Sequence, residues 1–275
     1  MLSNFSPMKI VFATSCIALS LAVSACVPGS PTSGLTFEKD QGSSENIGSL
    51  TRVVNANPQD PTAYNIRGSA YGRAGRFSAA LNDFNTAISL NRRYHQAYAN
   101  RGLIYSRTGN LNQALQDYNS SLQINPQYAE AYIGRGDVYR QGKRLRSAVN
   151  DYDRAIQIGT TNPRAYHNRG LLYQQNRNHT QAIEDFSKAI ALADQQPEPY
   201  NARGLSYLAT NGEQNALDDF NTALKLDAKY AEAWTNQALV YEQRGQKKRA
   251  FKSFARAVAL DSNYTPAREG MSRTR

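Results

Sequence analysis

The chain has 275 residues, room for one or two ordinary domains or one long repeat array. Its 32 Lys and Arg against 22 Asp and Glu give a net charge of +10, which allows anionic partners and also serves solubility. The only two cysteines, Cys16 and Cys26, lie near the start, so a disulfide framework is excluded and the body must stand on packing.

Lys9 is the only charged residue before Cys26, and an uncharged, mostly apolar run follows it from Ile10 to Ala25. At about 16 residues the run is shorter than the roughly 20 that cross a bilayer as a helix, and it reads as a secretory signal over residues 1–25. The junction Val23-Ser24-Ala25-Cys26 resembles the lipobox of bacterial lipoproteins. That resemblance implies that the Cys26 thiol takes a diacylglycerol and becomes the first residue of the mature protein. Val27 follows, where inner-membrane retention would place Asp, so the resemblance points to the outer membrane, facing the periplasm. The alternative is ordinary cleavage after Ala25, since Val23 and Ala25 also satisfy a small-x-small rule; the product is then a soluble periplasmic protein.

Residues 26–44 are rich in Pro, Gly and Ser and read as a flexible tether. Residues 45–60 follow, with Ile47, Leu50, Val53 and Val54 at helical spacing, which predicts a half-repeat helix covering the N-terminal end.

From Pro61 to Tyr264 the sequence divides without gaps into six blocks of 34 residues: 61–94, 95–128, 129–162, 163–196, 197–230 and 231–264. Slot 4 of each holds an aromatic residue (Tyr64, Tyr98, Tyr132, Tyr166, Tyr200, Trp234), and slot 8 holds Gly, with Ala238 in the last. Slot 11 is always Tyr, slot 20 always Ala, slot 24 Phe or Tyr, and slot 27 Ala except for Ser121. Slots 4, 8 and 11 share one face of a first helix, and slots 20, 24 and 27 repeat that spacing on a second. Gly75, Gly109, Gly142, Gly212 and Gly245 mark the turn between them, at slots that drift by one or two. This pattern resembles the tetratricopeptide repeat, which implies an all-α solenoid of six contiguous helix hairpins. Residues 265–275 read as a tail or partial cap, short enough to leave the C-terminal face partly exposed for a homodimer or a partner. All 17 Tyr fall in slots 4, 11, 24 or 34 and are framework; no nucleic-acid platform is expected of them.

A second recurrence departs from the common consensus, which carries Leu at slot 7. Slot 7 is Arg67, Arg101, Arg135, Arg169 and Arg203, then Gln237; slot 23 is Asp83, Asp117, Asp151, Asp185 and Asp219, then Ser253. The two residue types appear together five times and vanish together in the sixth block. Facing slots of an antiparallel pair sum to about 28, so slots 7 and 23 are near neighbours. They predict Arg–Asp ion pairs between helices, within a block or to the adjacent one; a row of anion-binding arginines is the alternative.

In tetratricopeptide arrays the concave groove is lined by slots 2, 5, 9, 12 and 13 of the first helices. Carried onto this sequence, the first four blocks offer Asn65, Arg73, Arg107, Arg140, Arg164 and His167, and the last two offer Glu198, Leu205, Leu208, Leu239 and Glu242. The resemblance thus implies a groove that is basic at one end and more apolar and acidic at the other, suited to extended or helical peptide segments. A carboxylate clamp of the chaperone-binding type is not expected, since slots 5 and 9 of the first block are Asn65 and Ser69 without the Lys. Catalysis finds no pattern: His95, His167 and His179 sit at three unrelated slots, with no metal-ligand spacing and no phosphate loop, so neither cofactor nor metal is expected. Arg92-Arg93, Lys143-Arg144 and Lys247-Lys248-Arg249 read as solvated runs at helix ends, or as contacts to anionic surfaces.

The layout of lipobox, tether and six repeats resembles periplasmic tetratricopeptide lipoproteins of Gram-negative bacteria, among them the new-lipoprotein-I type. That resemblance implies a non-enzymatic adaptor presenting protein partners, such as a protease or cell-wall hydrolases. A pilotin-like assembly factor and a peptidoglycan or anionic-polymer binder are the alternatives.

Overall fold

The computed structural model describes residues 42–275, so the signal, Cys26 and nearly all of the tether lie outside the described residues. Fourteen helices follow in order, with no strand among the described residues. Helix α1 (Ser44–Ala56) precedes six antiparallel pairs: α2 (Pro61–Arg73) with α3 (Phe77–Leu90), α4 (His95–Arg107) with α5 (Leu111–Ile124), and α6 (Ala129–Gln141) with α7 (Leu145–Gln157). The remaining pairs are α8 (Pro163–Gln175) with α9 (His179–Leu192), α10 (Pro197–Ala209) with α11 (Glu213–Leu226), and α12 (Ala231–Gln243) with α13 (Lys247–Leu260); α14 (Thr265–Thr274) closes the array.

Local chemistry sets the helix ends. Asp60 and Asn162 cap α2 and α8 through their side chains, each with Pro at the first helical position, where a missing N–H costs nothing. Every first helix ends in the same six-residue closure: the slot 16 N–H donates to the slot 11 carbonyl, from Arg76 to Tyr71 (2.9 Å) through Gln246 to Tyr241 (2.8 Å). This closure holds slot 15 in the left-handed region. That slot is Gly75, Gly109 and Gly245 in three blocks, but Lys143 (φ 57), Arg177 (φ 60) and Asn211 (φ 62) in the others. The drifting glycines are thereby explained: Gly142 (φ −79) and Gly212 (φ −88) flank the left-handed residue and do not supply it.

Packing inside a pair follows the small-and-aromatic alternation. The rings of Phe84, Tyr152, Phe186 and Phe220 are fully buried beneath the slot 8 glycines. A Cβ added at Gly204 would lie 2.6 Å from Phe220, and one at Gly170 would lie 2.8 Å from Phe186, so only glycine admits this approach. Along the array each first helix touches the next first helix, whereas second helices do not touch one another. The first helices are therefore crowded on the inside of a curve, which makes their outward-facing slots the concave surface.

At the C-terminus, of the tail or partial cap expected for residues 265–275, the structure shows a capping helix. Helix α14 packs on α12 and α13 with Ala267 and Gly270 buried, the glycine leaving room for the Phe254 ring. It occupies the place of a next first helix, and its Arg273 forms a two-bonded pair with Glu242.

Candidate functional site

The slot 7 and slot 23 residues meet within each of the first five blocks. Arg67 donates from Nε and Nη2 to both oxygens of Asp83 (2.8 and 2.7 Å), and the same fork recurs at Arg101–Asp117, Arg135–Asp151, Arg169–Asp185 and Arg203–Asp219. The remaining Nη1 of the last four reaches back to slot 25 of the preceding block: Asn85, Asn119, Asp153 and Ser187. In blocks 1, 2, 3 and 5 the guanidinium also lies between the slot 4 and slot 11 tyrosines, at 5.4–6.0 Å from the ring centroids. The aspartate side chains are 5–8% exposed, so each carboxylate is withdrawn from water and held by one Arg. Hydrogen bonding to the carboxylate pushes the Arg67, Arg101, Arg135 and Arg203 guanidinium pKa up. These groups hold the solenoid together, and none of the five slot 7 arginines is left as a free cation.

The concave side is a different surface. Slots 4, 7 and 11 lie roughly 130° around the helix from slots 5, 9 and 12, at 3.6 residues per turn. At its N-terminal end Asn65 is buried: its amide donates to the Tyr94 hydroxyl (3.3 Å), and its carbonyl oxygen accepts from Asn100 (2.9 Å). The same arrangement joins Asn201, Tyr230 and Asn236 in the last two blocks. Asn65 is therefore a structural link between neighbouring first helices, not an open groove contact. Leu205, Leu208 and Leu239 are half-buried against the C-terminal core, and Glu242 is held by Arg273, so the expected apolar and acidic end is largely used by the fold.

The groove centre is where polar groups converge. Asp137 of α6 is buried and accepts from three residues: Asn168 (2.7 Å), the Tyr152 hydroxyl (2.7 Å) and Arg164. Burial and the Asp137 charge push the Tyr152 pKa up, keeping it a neutral donor. Arg140 and His167 stand beside this cluster, and the buried Arg140 Nε and His167 Nδ1 have no hydrogen-bond partner. Burial, then the Arg140 charge, lowers the His167 pKa to about 4, so the imidazole is neutral at pH 7. Arg73 and Arg107 are exposed, and Arg164 remains 53% exposed despite its pair. Asp137 is thus paired with Arg164, with Arg140 beside Tyr152 and Arg107 within electrostatic reach of Tyr118, so these three cations outnumber the one buried carboxylate.

Asp137 and Asn168 carried a signal in the sequence that slot assignment alone overlooks. Asp137 is the only acid in the slot 9 row, and Asn occupies slot 6 of every second block (Asn100, Asn168, Asn236). Among the described residues no group of three or more His, Cys, Asp or Glu is arranged to hold a metal, and no helix is long and apolar enough to cross a membrane.

Stacked helix hairpins with a polar, open inner face define a helical-repeat solenoid, a class built for protein contact. Tetratricopeptide-repeat models match residues 61–94, 95–128, 136–176, 163–195 and 201–265, which together span well over half the sequence. The chain belongs to the tetratricopeptide-repeat family. Among solved structures it is similar to the APC/C hetero-tetramer Cut9–Hcn1 (TM-score 0.72, 17% identity, 86% of this chain and 48% of that one). It is also similar to pilF of Pseudomonas aeruginosa (TM-score 0.71, 18% identity, 78% and 97%) and to YrrB, a TPR protein with an unusual peptide-binding site (TM-score 0.60, 21% identity, 69% and 97%). The chain spans about half the length of the Cut9–Hcn1 match, and at these identities the likeness is one of fold. No curated protein sequence matches it.

Proposed function

We propose that this chain is a non-enzymatic scaffold that holds acidic peptide segments of partner proteins in its concave groove. The observation that carries the reading is the groove centre, where the exposed Arg107 and Arg164 and the half-buried Arg140 outnumber the one buried carboxylate, Asp137. An acidic segment laid along the first helices pairs with the exposed Arg107 and Arg164 guanidinium groups and supplies the negative charge the centre lacks, and charge-assisted hydrogen bonds are the strong ones. The likeness to YrrB is consistent with peptide binding.

The lipobox-like junction at Cys26 and the apolar run before it support a lipid-anchored form facing the periplasm of a Gram-negative cell. In that setting the partners are a periplasmic protease and cell-wall hydrolases gathered by an adaptor. The test is affinity isolation of the lipidated protein from cross-linked membranes, beside Cys26→Ser and the double variant Arg107→Glu/Arg140→Glu. The expected result is protease and hydrolase capture by the parent, lost with the Arg variant and reduced with Cys26→Ser. Capture of an unassembled secretin would replace the adaptor reading with a pilotin-like one. Salt-sensitive sedimentation with purified sacculi, and no captured protein, would replace it with polymer binding.

A further inference from the structure

The sixth block breaks the ion-pair ladder, and the break opens a cavity. Gln237 and Ser253 stand at slots 7 and 23; Ser253 donates to the Gln237 carbonyl oxygen (2.7 Å), whose amide donates to Asn221 (2.7 Å). The hydrogen-bond ladder survives, but no slot 7 guanidinium lies between the slot 4 and slot 11 rings. In its place is a cavity of about 670 Å³ lined by Trp234, Tyr241, Gln237 and the α13 residues Arg249, Lys252 and Arg256 among others. Arg249 stacks on the Tyr241 ring at 4.1 Å and donates to its hydroxyl (3.0 Å), fixing one wall. Lys252 and Arg256 are exposed at the rim, no carboxylate lines the cavity, and α13 carries five basic residues (Lys247, Lys248, Arg249, Lys252, Arg256) and no acid.

We infer that this cavity, on the face of α12 turned away from the groove, is a second peptide site that takes an aromatic side chain flanked by acidic residues. The walls are the Trp234 and Tyr241 rings with Arg249 laid on Tyr241, and Lys252 and Arg256 stand at the rim, so the fitting occupant has an aromatic tip, which stacks on rings and guanidinium alike, and anions beside it. A lipid headgroup has the reverse order, leading with its charge, and would place an anion against Trp234 and Tyr241. A partner's arginine, the group that fills this place in the other blocks, would meet three cations and no aspartate.

Trp234 is the only tryptophan in the chain, so its fluorescence reports on the cavity directly. The full-length protein is titrated with a blocked peptide Glu-Asp-Phe-Glu-Asp and with its Phe-to-Ala counterpart. The expected result is a saturable change in Trp234 emission with the first peptide and at least tenfold weaker binding of the second. Lys252→Glu/Arg256→Glu should weaken binding at least tenfold. Gln237→Arg/Ser253→Asp, which rebuilds the pair of the other five blocks, should abolish it, while the groove variant Arg107→Glu/Arg140→Glu leaves it unchanged. Equal binding by the parent and either cavity variant, or no change in emission up to millimolar peptide, overturns the inference. So does phosphatidylglycerol-vesicle binding that requires Lys252 and Arg256 while the peptide is ignored.

Discussion

Asp151 shows what the recurring ion pairs contribute. It is buried, accepts two hydrogen bonds from Arg135, and replaces two interactions with water by two with one guanidinium. Desolvation offsets much of the attraction in such a pair, but removing one partner strands the other. Asp151→Ala should therefore cost about 3 kcal/mol, at the lower end for a broken buried pair because Arg135 keeps Asn119 and its ring contacts. Thermal melting checks this, and a melting temperature equal to the parent's would mean the pair is solvated. His167 carries the complementary pH effect. Its folded pKa of about 4 lies below the ordinary histidine value, so the unfolded chain takes up a proton first as pH falls. Stability from this residue is complete above pH 6.5 and is lost between there and pH 4, by about 3 kcal/mol on the conversion of 1.4 kcal/mol per pH unit. Denaturant melts across that range should show a loss that His167→Gln flattens; an equal slope in both proteins would place the imidazole in water. Asp137 and Asn168 show why the groove centre was hard to read in advance, since their partners are 15 to 31 residues away in sequence.

At the scale of the helix hairpin, the turn enforces a backbone conformation whatever residue occupies it. Slot 15 is left-handed in all six blocks because the slot 16 to slot 11 hydrogen bond requires it, and Arg177 adopts that conformation despite its Cβ. An L side chain there costs about 1 kcal/mol, so Arg177→Gly should raise stability by roughly that amount, less the extra freedom of the unfolded glycine. A calorimetric comparison checks the sign, and destabilisation would mean that the Arg177 side chain makes a compensating contact. The hairpins themselves were legible in the sequence because their chemistry is local: Gly or Ala faces a ring at fixed spacing, and Arg–Asp pairs persist and vanish together. The turn was less legible because glycine appears at three neighbouring slots while only the backbone reveals which one is left-handed.

Across the whole molecule, curvature follows from the contrast between touching first helices and separated second helices. That curvature creates the groove, yet the fold uses some of the residues that slot assignment placed in it. Asn65 joins two first helices, Glu242 binds Arg273, and the leucines near the C-terminus pack on the core, because neighbouring blocks and α14 satisfy side chains that a single block leaves open. What stays available is the cationic centre around Arg107, Arg140 and Arg164. Site-specific photocrosslinking in living cells tests this most directly, with benzoylphenylalanine placed at position 107 in the groove or at position 82 on the exposed side of α3. Discrete protein adducts are expected from position 107, lost when Arg140 is changed to Glu, and none from position 82. Adducts of equal yield from both positions, or from position 82 alone, would contradict that expectation.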